Sequence, residues 1–262
     1  MTFIPNRDFL LEVGKGTVTG HTGQNISGAA NDIDSNAVAD IWDGSSSAFN
    51  NAFLLWVPFT VAQTVDVFSD DSNDNIVGTG AQQVLIKGLD QDWNPVEEVL
   101  DLNGTTAETT VSTYIRINYV EVISFGTSGI NEGTIEFEGS IDGTLECAIL
   151  EGIGKTKHSR YSIPANHYVV VTNIWASVTR GNPSNVSYTA NFLKRENADQ
   201  TNSGIVTIEE PGVFVNRSDY THKYNPPRRF EEKTDLWFRA TDCTDNNTSV
   251  DAGFDLVLVT IT

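Results

Sequence analysis

The sequence predicts an all-β fold: two β-sandwich domains, the C-terminal one jelly-roll-like, preceded by an extended N-terminal arm. Three observations lead there. Apolar residues recur at every second position in many short segments. Val186, Tyr188, Ala190 and Phe192, for example, alternate with Ser187, Thr189 and Asn191, which is the pattern of a half-buried strand. Turn signals divide these segments at short intervals, as in sandwiches and barrels. No long stretch of helical periodicity competes with them.

Residues 1–50 read as the arm. Gly14, Gly16, Gly20, Gly23 and Gly28 lie close together with few alternating apolar residues between them. One short strand is expected over residues 9–13. So long an irregular stretch is unusual inside a compact domain, so it is expected to lie along a neighbouring subunit.

Residues 51–140 read as an acidic β-sandwich. Strands are expected over 53–57, 64–68, 83–89, 96–102, 113–123 and 133–138. Acidic turns at 70–75 and 90–95 separate them, as does the Asn103-Gly104 pair, which tolerates positive φ. The turn-rich stretch 138–143 reads as a linker. Residues 141–262 then read as the jelly-roll-like sandwich. Its strands are expected over 147–149, 158–163, 168–179, 186–194, 205–207, 212–216, 235–240 and 253–261, and about eight antiparallel strands suit a jelly roll. The double proline Pro226-Pro227 reads as the entry to a strand, followed by a charged turn and an alternating strand that closes the chain.

Charge divides the chain in the same place. Residues 1–140 hold 4 Lys and Arg against 20 Asp and Glu; residues 141–262 hold 12 against 15. The formal net charge of −19 argues against nucleic acid as a partner, because phosphate contacts need clustered cations. The first residues lack the pattern of a secretory signal, and no apolar run is long enough to span a bilayer. The expected setting is therefore a cytoplasm, without a membrane partner. Cys147 and Cys243, the two cysteines, read as buried free thiols, with a bridge left open.

No motif carries chemistry. Gly152-Ile-Gly-Lys-Thr156 lacks the first glycine of a phosphate loop and the helix after it, so a β-turn is expected. Gly14-Lys-Gly-Thr-Val-Thr-Gly20 misses the dinucleotide spacing. His21, His158, His167 and His222 show no metal-ligand spacing, although His158 and His167 flank an expected hairpin. Asp32, Asp34, Asn36 and Asp43 have calcium-loop spacing, but Ala37 replaces the required glycine. Asp70, Asp71 and Asp74 form a second acidic loop. No cofactor, metal or catalytic residue is expected. Arg228, Arg229 and Lys233 form the densest basic cluster and are the candidate partner contact.

Three groups of segments carry a resemblance. The first is Asp8-Phe-Leu-Leu-Glu-Val-Gly-Lys-Gly-Thr-Val-Thr-Gly-His21 with Asp40-Ile-Trp-Asp-Gly44. The second is Gly78-Thr-Gly-Ala-Gln-Gln-Val-Leu-Ile-Lys-Gly-Leu-Asp90, Trp93 and Leu102-Asn-Gly-Thr-Thr106. The third is Tyr161-Ser-Ile-Pro164, Pro226-Pro227, Phe230-Glu-Glu-Lys-Thr-Asp235 and Ala252-Gly-Phe-Asp-Leu-Val-Leu258. The ordered set resembles a family of virion structural proteins from marine tailed bacteriophages, over nearly the whole chain. Asn166 stands where the resemblance leads one to expect glycine.

The resemblance implies a non-enzymatic virion component assembled in the host cytoplasm. Its expected place is the outer head surface, as a capsid decoration or cement protein. Its expected partners are other virion proteins, the major capsid protein first, and copies of itself as a trimer. The alternatives are a tail or tail-fibre component, a carbohydrate-binding module for host adsorption and, behind these, a polysaccharide-degrading enzyme.

Overall fold

The computed structural model describes residues 8–49, 52–180, 186–200, 206–216 and 219–261. The expected all-β class holds. The strands form four small sheets set in a ring rather than two sandwiches in sequence. Alternation marks where a strand lies, but it does not name the strand's partner, and here partners come from opposite ends of the chain.

The first sheet joins β1 (His21–Ile33), β11 (His167–Arg180), β14 (Tyr220–Phe230) and β16 (Thr248–Thr260) in the order β1-β16-β11-β14. The second joins β10 (Arg160–Ser162), β12 (Ser187–Arg195), β13 (Thr207–Asn216) and β15 (Asp235–Thr241) in the order β10-β15-β12-β13. The short β2 (Ala39–Asp40) is added against β15. The third joins β3 (Val65–Ser69), β6 (Glu108–Thr109), β8 (Ile135–Gly139) and β9 (Leu145–Ile149) in the order β6-β3-β8-β9. The fourth is β5-β4-β7, from β4 (Ala81–Leu89), β5 (Pro95–Asp101) and β7 (Arg116–Phe125).

Two apolar clusters tie the sheets together in pairs. Strands of the first and second sheets share one cluster, centred on Phe192, Phe238 and Phe254. The Phe192 ring lies 5.0 Å from Phe238 and 5.1 Å from Phe254. Strands of the third and fourth sheets share the other cluster, which includes Val67, Phe137, Val84, Ile86 and Val120. Sheets this small need such a shared face, since a few short strands bury too little apolar surface alone.

The expected arm is corrected. Residues 21–33 form β1, paired with β16 from His21↔Val259 to Ile33↔Thr248. Its glycines hid it from period-two reading. Gly28 shows why one must be there: a Cβ would lie 2.1 Å from the Ser159 amide nitrogen and 2.5 Å from the Ile41 carbonyl oxygen. The strand expected over residues 9–13 is instead a short helix, α1 (Phe9–Gly14). The Asp8 carboxylate caps it by accepting from Leu10 N at 3.1 Å, as an N-cap aspartate does. Val13 is buried against Val257 and Val259, while Phe9, Leu10 and Leu11 are about half exposed.

Residues 53–57 form no strand, although Trp56 is buried. The double proline, expected at the entry to a strand, lies inside one, since β14 begins at Tyr220. β14 is an edge strand, where missing N–H groups are tolerated. Its register with β11 shifts between Val171↔Arg228 and Asn173↔Lys223, which accommodates Pro226 and Pro227. The strand expected at 205–207 begins in part outside the described residues, and 212–216 belongs to the single strand β13. Asn166 adopts φ 58°, a left-handed conformation that asparagine tolerates nearly as well as glycine. The turn therefore forms with asparagine in place.

Candidate ligand cleft and the charge network behind it

Where the two sheet pairs meet, the sequence places charges that must be buried. Arg116 leaves β7 and reaches Asp235 on β15. Its Nε and Nη2 donate to the two carboxylate oxygens, each at 3.1 Å, and the side chains are 3% and 1% exposed. Arg116 Nη1 donates to the Phe59 and Ile115 carbonyls at 2.9 and 2.7 Å. Asp235 also accepts from Ser162 Oγ at 2.6 Å and Arg195 Nε at 3.1 Å. Burial raises the Asp235 carboxyl; the Arg116 and Arg195 guanidiniums more than offset that and hold it below the usual range.

A second pair lies beside it. Arg160 Nη2 sits 3.3 Å from Glu146 Oε1, and Glu146 Oε2 accepts from Trp56 Nε1 at 3.1 Å. Arg160 lies between Trp42 and Trp56, 5.4 and 4.5 Å from their ring centroids. Here burial outweighs the nearby cations and raises the Glu146 carboxyl. Asp40 holds a third group, accepting from Arg239 Nε at 2.7 Å and Trp237 Nε1 at 2.9 Å. These geometries leave each carboxylate fully engaged. They hold elements together and present no free reactive group.

The two sheet pairs enclose a cleft of about 520 Å³, within the ~300–1,000 Å³ of typical ligand sites. One wall is the end of the fourth sheet. In register, Lys87 lies opposite Glu97 on one side and Tyr119 on the other. The three side chains therefore share one face, and Lys87 Nζ is 3.3 Å from Glu97 Oε1. The Tyr119 hydroxyl donates to Glu121 Oε2 at 3.0 Å; burial, then Glu121, pushes its pKa up to about 12. The opposite wall is Gln24 and Asn25 of β1 with Leu258 of β16, and Tyr161 and Lys155 complete the lining.

A bulge ties the fourth-sheet wall to β10 of the second sheet. The β4–β7 register slips between Lys87↔Tyr119 and Gly88↔Ile117, leaving Asn118 unpaired. Its amide then donates to the Ser162 carbonyl at 2.9 Å and accepts from Ser162 N at 2.8 Å. Bulges commonly re-aim a side chain in this way.

The residues singled out in sequence fare differently. Arg228 pairs with Glu209, Arg229 donates to both Glu231 oxygens at 2.8 and 2.9 Å, and Lys233 donates to Asp199 at 2.9 Å. Each cation of that cluster thus has its own carboxylate, and Arg229 also lies 3.8 Å from the Tyr168 ring centroid. Asp74 is consumed by backbone donors, accepting from Ala81 N after its own loop and from Glu132 N and Gly133 N of the segment before β8. Asp43 is buried and accepts from Lys157 N at 2.6 Å, away from any Asp32 loop. Among the described residues, no group of three His, Cys, Asp or Glu is placed to hold a metal.

His158 Nε2 lies 2.7 Å from the Asn118 carbonyl and His167 Nδ1 2.7 Å from the Ala165 carbonyl, so the two histidines hold separate backbones. Cys147 and Cys243 are free and buried, one in each cluster. The 152–156 segment is a turn leading into extended chain. No helix among the described residues is long and apolar enough to cross a membrane. Comparison with known proteins identifies no family: no family model matches the sequence, and no curated protein matches it.

Proposed function

We propose that the chain is a non-enzymatic structural subunit of a tailed-phage virion, a decoration or cement protein on the outer head surface that contacts the major capsid protein. The strand order carries this reading. Take β1 as the first strand and β10 to β16 as the second to eighth. The first two sheets then run 1-8-3-6 and 2-7-4-5, the double Greek key of a jelly roll, an architecture used in viral capsids and lectins. Strands β3 to β9 are on this reading an insertion between its first two strands. The inference from fold to role is an analogy, and the sequence resemblance points the same way.

Half-exposed Phe9, Leu10 and Leu11 on α1 suit burial between copies, in keeping with a trimer. Arg228, Arg229 and Lys233 are the candidate contact with a neighbour. The cleft favours a second reading, a tail or tail-fibre component with a carbohydrate-binding role in adsorption.

Cryo-microscopy of whole particles separates these. Density for the chain over the entire shell, with particles stripped of it breaking at lower temperature until it is added back, is the expected result. Density at one vertex alone would replace the head assignment with the tail one. Absence from purified particles would remove both.

A further inference from the structure

We propose that the cleft between the fourth sheet and the β1 edge is a binding site for a short neutral saccharide. This goes beyond the structural role above and holds for the isolated subunit wherever it sits in a particle.

The walls suit a ligand with many hydroxyls and apolar ring faces. Tyr119 supplies a half-buried ring whose hydroxyl is already committed to Glu121. Aromatic side chains with an anchored polar end offer a rigid flat face to C–H groups. Lys87 and Glu97 stand as a 3.3 Å pair, so one donates and the other accepts without a net charge. The exposed Lys155 ammonium has no partner among the described residues and can donate freely. Donors and acceptors are thus balanced on one concave surface, as hydroxyl recognition requires.

Charge selects against the rival ligand. A polyanionic glycan would meet Glu97 in the cleft of a chain of net charge −19, and the field of the whole protein would oppose it. Rigidity favours binding as well. The Asn118–Ser162 bridge and the Arg116–Asp235 pair hold the fourth-sheet wall against the second sheet, so little ordering of that wall is left for the ligand to bring about.

The test is saturation-transfer NMR and calorimetry on the full chain with a panel of lactose, cellobiose, chitobiose and maltose, alongside a sulfated disaccharide and AMP. At least one neutral disaccharide should bind in the millimolar range or tighter. Tyr119→Ala should weaken it tenfold or more. Should that variant melt early, Lys87→Gln, at a half-exposed position, should weaken binding several-fold with an unchanged melting temperature. Absence of binding to every neutral sugar, binding only to the sulfated sugar or AMP, or affinity unchanged in both variants would each overturn the proposal.

Discussion

Removing the Asp235 side chain should be among the most costly single changes at the junction. Asp235 has 0% exposure and anchors Arg116, Arg195 and Ser162 at once. In Asp235→Ala the Arg116 guanidinium, 3% exposed, keeps its charge and loses its counter-ion. Breaking a buried pair from one side costs about 3–5 kcal/mol. For a chain of this size each kcal/mol moves the melting temperature by about 2–4 °C, so a fall of roughly 6–20 °C is expected.

Arg195→Ala is the control. It removes the partner that is 19% exposed and leaves the bidentate Arg116–Asp235 pair intact, so its cost should be about 1 kcal/mol. The pair Arg116→Leu with Asp235→Ala should recover part of the loss, because no charge is then stranded. Scanning calorimetry and circular dichroism at several pH values read all three variants. The Asp235 carboxyl titrates lower in the folded chain than in the unfolded one. Its stabilisation is therefore present above the ordinary value of about 3.9 and lost as pH falls through the folded pKa, so the gap to wild type should close in acid. If Asp235→Ala melted within a degree or two of wild type, or Arg195→Ala cost more, the junction would not be held as described.

Three further outcomes are expected. Burial, with Arg160 adding to it, lowers the His158 pKa to about 3. The neutral ring therefore favours the fold fully above pH ~6.5, and that advantage drains away between about 6.5 and 3; in His158→Gln the fall of melting temperature between pH 7.5 and 4.5 should be shallower. Glu136 is pushed to about 7 by burial, then by Glu138 and Asp70. Its folded-state preference for the proton is complete below its ordinary 4.5 and gone above about 7, so Glu136→Gln should raise the melting temperature at pH 8 and leave it nearly unchanged at pH 4. Gly28→Ala drives a methyl into two backbone atoms and should cost about 1–3 kcal/mol or more in urea unfolding, whereas Gly14→Ala, with nothing within 4 Å, should not.

Local pattern made most strands legible. Segments such as 83–89 and 96–102 alternate because one face of β4 and β5 packs on a core, and they appear within two residues of where the pattern put them. What local pattern could not carry was pairing. β1 was read as an arm because Gly23 and Gly28 break its alternation, and because the partner that makes it a strand, β16, lies more than 200 residues away. The prolines of β14 were placed at a strand's start rather than inside it for a related reason: proline is tolerated within an edge strand, and nothing local reveals that β14 is an edge.

The candidate site was less legible than the fold, and the cause is again distance along the chain. Arg228, Arg229 and Lys233 looked like a free basic patch because their neutralising partners, Glu209 and Asp199, come from other segments and even Glu231 was read as turn. The cleft draws on Gln24, Lys87, Tyr119, Lys155 and Tyr161, five positions with no motif between them. One signal was available in principle: Asn118 interrupts the alternation of β7 between Ile117 and Val120, both buried. A polar residue that breaks period two inside a strong strand marks a bulge. Here the bulge builds the bridge to Ser162, and Asn118 itself lines the cleft. The same irregularity that weakens a strand reading thus lies beside a concave surface that both sheet pairs help to form. In an all-β chain whose sequence shows no catalytic motif, interruptions of the pattern carry more weight than its regular parts when a site is sought.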